Sequence, residues 1–133
     1  MTGAKILLVD DEVIFTRNLS KLLTIKGHRV KAVNSGDSAI QTLKEESFDV
    51  IVLDVKMPGM DGIATLEEIR KLGLSTRTLV LTGHGTIDDA LEVIRQGAYD
   101  YLTKPCDIDA LISKIEEAYN AKKSEVRGQE LED

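Results

Sequence analysis

The chain has 133 residues, 42% of them hydrophobic and 30% charged, with a formal net charge of −6 and a single cysteine, Cys106. That length suits one compact domain able to bury its own core. The composition excludes an internal disulfide, offers no apolar run near the roughly 18 residues a membrane span needs, and provides no basic stripe for nucleic acid.

Taken in chain order, Lys5–Val9 is a nearly continuous apolar run and reads as a first strand, too short for a signal-peptide core. A first helix follows through Phe15, Leu19, Leu22 and Leu23, which recur at i, i+4, i+7 and i+8, with Gly27 as its C-terminal cap. Val30–Val33, interrupted by Lys31, reads as an edge strand. The second helix carries Ala39, Ile40 and Leu43, with Ser35 or Asp37 near its start. Val50–Leu53 is a third strand, and Ile63, Leu66 and Ile69 mark a helix from about Gly62 to Leu72. Thr78–Leu81 is the fourth strand. Ile87, Ala90, Leu91 and Ile94 fall in helical register and end at Gly97. Tyr99–Leu102, interrupted by Asp100, is a second edge strand. The last helix opens at Asp107 and runs through Ile108, Leu111, Ile112, Ile115 and Tyr119.

This alternation predicts an α/β fold, (βα)5, with one doubly wound parallel sheet of five strands; runs apolar on both faces are what such a sheet buries. Residues 1–120 form the predicted domain. Residues 121–133 are charged and lack an apolar stripe, and Gly128 breaks the helical pattern, so they read as a tail or linker towards a missing output domain.

Ligands of open parallel sheets bind beyond the carboxyl ends of the strands. The first strand ends in Asp10-Asp11-Glu12, the third in Asp54, the fourth in Thr82, and the last just before Lys104-Pro105. Carboxylates held together repel one another, and a hard divalent cation relieves the repulsion. An aspartate can act as a nucleophile on phosphorus, and an ammonium and a hydroxyl can then hold two of the transferred oxygens. Lys104 and Thr82 supply those groups.

The stretches ILLVDDE, VIVLDVKMPGMDG, LVLTGHG and GAYDYLTKP resemble the receiver domains of bacterial response regulators, over about residues 4–120. The resemblance implies a flavodoxin-like sheet of order 2-1-3-4-5. It implies that Asp54 accepts a phosphoryl group from a phosphohistidine of a sensor histidine kinase or phosphotransfer protein. Asp11 would bind Mg²⁺, or Mn²⁺ in its place, directly; Asp10 would act mostly through water; and the Lys56 backbone carbonyl would be a further ligand. Lys104 would pair with the phosphate, ahead of Pro105 in a cis peptide. Thr82 and Tyr101 would form the switch that reshapes the surface of the fourth helix, fifth strand and fifth helix, with dimerisation through helices four and five left open. A protein of this kind is cytoplasmic, is not a conventional enzyme, and controls an output such as transcription.

Plainer roles remain for several of these residues. Asp10, Asp11 and Asp54 suit helix N-termini, Tyr101 suits edge-strand packing, and His84 suits an exposed loop. His28, beside Gly27, reads as a surface residue, and Cys106 as filler. A haloacid-dehalogenase-type phosphatase needs an aspartate two places after the nucleophile, where this chain has Lys56. A flavin-binding module would need an uncharged phosphate loop where Asp10-Asp11-Glu12 stands.

Overall fold

A computed structural model describes residues 3–54, 62–82, 87–104 and 106–132, with only the backbone described at 62, 82, 87–90 and 122–132. The elements alternate as β1 (Lys5–Val9), α1 (Val13–Ile25), β2 (Arg29–Val33), α2 (Gly36–Glu45), β3 (Val50–Asp54), α3 (Gly62–Lys71), β4 (Arg77–Thr82), α4 (Ile87–Arg95), β5 (Asp100–Thr103) and α5 (Ile108–Glu132). All strand pairs are parallel, in the order β2-β1-β3-β4-β5, so the two strands interrupted by charged residues are indeed the edges.

Successive strand residues point to opposite faces, and each face has its own core. Ile6 and Leu8 of β1 join Val50 and Val52 of β3, Leu79 and Leu81 of β4, Leu19 and Leu23 of α1, and Leu111 and Ile115 of α5. Leu7, Val9, Ile51, Leu53 and Val80 face the other way, onto Leu43 of α2, Leu66 and Ile69 of α3, and Val93 of α4. Each such side chain contributes about 1.5–3 kcal/mol through burial.

The helices depart from the sequence pattern in a few places. Leu22 of α1 is 42% exposed, because the buried stripe runs through Thr16, Leu19 and Leu23 and position 22 falls to its side. Among the described side chains of α4, Val93 is buried, while Leu91 and Ile94 face outward. Ser35 is the N-cap of α2, accepting the Ser38 N–H at 3.1 Å. Gly27, at φ 95°, takes the left-handed conformation that closes α1, and Gly97, at φ 97°, does the same after α4. The α5 backbone stays helical through Glu132, with Gly128 inside it; a helix-interior glycine costs about 1 kcal/mol and need not end the helix.

His28 is not a surface residue. It is 8% exposed, its Nδ1 accepts the Ala4 N–H at 3.0 Å, and its Nε2 lies 3.2 Å from the Glu116 carboxylate. Because a backbone N–H can only donate, Nδ1 is unprotonated and Nε2 donates to Glu116. The imidazole thus links the start of β1, the α1–β2 turn and the first half of α5.

Candidate functional site

Register assembles the site. Val9 of β1 pairs with Leu53 of β3, so Asp10 and Asp54 are the next residues outward on adjacent strands. Asp54 in turn pairs with Leu81, which brings the end of β4 alongside, and Thr82 pairs with Thr103, the residue before Lys104. Four segments distant in sequence therefore end at one edge of the sheet.

Asp10 and Asp54 are each 3% exposed. A buried carboxylate needs partners, and the Lys104 ammonium supplies them. Its Nζ lies 2.9 Å from Asp10 Oδ2, 3.0 Å from Glu12 Oε1 and 3.4 Å from Asp54 Oδ2, and sits 5.0 Å over the Phe15 ring. Burial alone would lower the lysine pKa. Its hydrogen bonds to Asp10 and Glu12, and the charges of Asp10 and Asp54, instead hold it well above the ordinary value of 10.5, so the ammonium is permanent at physiological pH. Asp10 Oδ1 accepts the Glu12 N–H at 2.9 Å, which fixes the carboxylate with Oδ2 towards Lys104.

Among the described residues, one ammonium, that of Lys104, faces three carboxylates. Oxygens of Asp10, Glu12 and Asp54 come within 4.8 Å of one another, a hard all-oxygen donor set of the kind Mg²⁺ takes. Among the described residues the converging acids are therefore Asp10, Glu12 and Asp54; Asp11 is exposed and outside this trio. Glu12 is the member that sequence reasoning left without a role. The acidic run pointed to it, but nothing in the pattern says which way an N-cap side chain turns.

Tyr101 is partly exposed on the edge strand β5, with its N–H donated to Asp100 Oδ1 at 2.8 Å. The Thr82 backbone ends β4. Lys56, His84 and Pro105 lie outside the described residues. Cys106 borders the site, but burial pushes its thiol pKa up, against any role as a reactive thiolate.

A family model of the response regulator receiver domain matches residues 6–116. The chain belongs to this family. The receiver domain is 41% identical over 113 residues to the transcriptional regulatory protein ZraR of Escherichia coli K12, covering 85% of this chain and 26% of that protein. It is equally similar, 41% over 113 residues, to the response regulator protein FleR of Pseudomonas aeruginosa, covering 85% of this chain and 24% of that one. Among solved structures, NtrX from Brucella abortus superposes with a TM-score of 0.90 at 33% identity, covering 98% of this chain and 30% of that one. A response regulator receiver domain protein from Clostridium thermocellum superposes at 0.82 with 38% identity, covering 90% and 97% of the two chains. The receiver thus spans about a quarter of the length of ZraR and FleR. Its flavodoxin-like sheet has the order the family resemblance implied. No helix among the described residues is long and apolar enough to cross a membrane.

Proposed function

We propose that this receiver takes a phosphoryl group onto Asp54 from a phosphohistidine of a sensor histidine kinase or phosphotransfer protein, and passes on the change as altered surface shape. The observation that carries the reading is the single Lys104 ammonium shared by two buried strand-end carboxylates, Asp10 and Asp54.

An Asp54 oxygen attacks phosphorus, an O–P bond forms, and the P–N bond of the donor breaks, leaving imidazole to take up a proton. Lys104 stands where it can pair with a transferred oxygen, and Thr82 supplies a hydroxyl for another. Asp10 and Asp54, with Asp11 and the Lys56 carbonyl, would hold Mg²⁺, which offsets the charge of the carboxylates and of the phosphoryl oxygens. Water later cleaves the acyl phosphate and resets the domain. The receiver is therefore not a conventional enzyme, though it supplies the groups that catalyse its own modification.

Leu91 and Ile94 on α4 are exposed, as is Tyr101 on the adjacent β5. That apolar face supports the α4–β5–α5 surface as the output, and as the contact of a homodimer. Thr82 and Tyr101 link the site to it by a shift in population between two states. Transcription is the output proposed from the transcriptional regulatory protein ZraR, residues 1–120 being the receiver and 121–133 the lead to an output domain, in a cytoplasmic protein.

Intact mass after incubation with acetyl phosphate and Mg²⁺ tests the acceptor. Wild type should gain one phosphoryl group and Asp54→Asn none. Equal labelling of the two proteins would refute the assignment.

A further inference from the structure

We propose that Glu12 is a positioning residue for Lys104: when a divalent cation takes the oxygens of Asp10 and Asp54, the Glu12 carboxylate retains the displaced ammonium beside the site. The inference rests on the reading of this edge as a cation-dependent phosphoacceptor site.

Lys104 contacts Asp10 Oδ2 at 2.9 Å and Asp54 Oδ2 at 3.4 Å. A cation bound to the same oxygens repels the ammonium from them, since two like charges cannot share one set of contacts. Glu12 is the partner able to move with it. Its side chain is 60% exposed, against 3% and 4% for the two aspartates. It stands at the N-cap of α1 yet makes no side-chain cap hydrogen bond, so the carboxylate is not committed to the helix.

Space for the displacement is present. A cavity of about 370 Å³ opens beside the ammonium, lined by Glu12, Phe15, Lys104, Cys106 and Ile108. Phe15, three residues along the same helix, offers its ring face to Nζ at 5.0 Å. Glu12 and Phe15 together give the ammonium a resting place to the side of Asp10 and Asp54, within reach of a phosphoryl oxygen. Without Glu12, the ammonium falls back on the two aspartates and competes with the cation.

A double-mutant cycle on Mg²⁺ affinity, measured by calorimetry with Glu12→Gln, Lys104→Met and the pair, separates this from direct ligation. Glu12→Gln should weaken Mg²⁺ binding about fivefold with Lys104 present and by less than about twofold in the Lys104→Met background. Equal losses in both backgrounds would mean that Glu12 ligates the cation itself, and no loss in either would leave it without a role; both overturn the proposal. If Lys104→Met fails to fold, the Lys104 Nζ resonance in wild type and Glu12→Gln decides. It should remain protected from exchange at saturating Mg²⁺ in wild type alone, and identical behaviour in the two proteins refutes the tether. None of these readouts requires phosphoryl transfer, so failure of acetyl phosphate to label wild type tests the acceptor reading separately.

Discussion

Glu46 shows how a single side chain makes this fold sensitive to acid. It takes a hydrogen bond from Lys31 at 2.7 Å, and Lys5 pairs with its other oxygen at 2.9 Å. Hydrogen bonds from Lys31 and then Lys5 lower its pKa from 4.5 to about 2. A carboxyl whose pKa is lowered by folding adds stability above its unfolded pKa and loses it as pH falls through the folded one. Urea unfolding at low salt should therefore show stability declining between about pH 4.5 and 2, and Glu46→Gln should flatten that decline. The group lies at the surface, so added salt should shrink the difference. At this scale the sequence was legible where a residue type and a strand end coincide, as for Asp10, Asp54 and Lys104. It was not legible where the partner is remote: His28 meets Glu116, 88 residues away, and no local pattern announces that burial.

Helices and strands were recovered from periodicity, with boundaries displaced by a residue or two, except that α5 continues past residue 120 to Glu132. Asp54 closes β3, and the ladder fixes its backbone. Periodicity could not rank the faces of α4, since Leu91 and Val93 are equally apolar and only the packing chooses Val93. Nor could it foresee how closely elements approach. A Cβ at Gly3 would lie 2.0 Å from the Gly27 carbonyl oxygen, so the segment entering β1 fits against the α1–β2 turn only as glycine. Gly3→Ala should cost about 1–3 kcal/mol by urea unfolding, the usual penalty of overpacking, and should also disturb the His28–Ala4 hydrogen bond. A variant as stable as wild type would mean the segment yields freely.

Across the whole molecule, the alternation of strands and helices predicted the parallel sheet, whereas the strand order came from resemblance to receivers. The converging acids and the exposed apolar side chains occupy different regions: the acids meet at the carboxyl edge, and Leu91, Ile94 and Tyr101 of α4 and β5 lie on a lateral face. If Tyr101 relays between them, Tyr101→Ala should leave acetyl-phosphate labelling intact and lower the affinity of the phosphorylated domain for its phosphorylation-dependent partner by about tenfold, roughly 1.4 kcal/mol. Unchanged affinity would exclude Tyr101 from the relay.

The imidazole clasp on Glu116 has a mechanical meaning as well. α5 runs 25 residues without a break, and Glu116 lies near its beginning. Sixteen residues beyond it, Glu132 is about 24 Å away along the axis at the rise of an α-helix. His28 therefore ties the first half of α5 to the α1–β2 turn, beside the core contacts of Leu111, Ile115 and Ala118. Were the helix to tilt by about 5° about that anchorage, its far end would move about 2 Å.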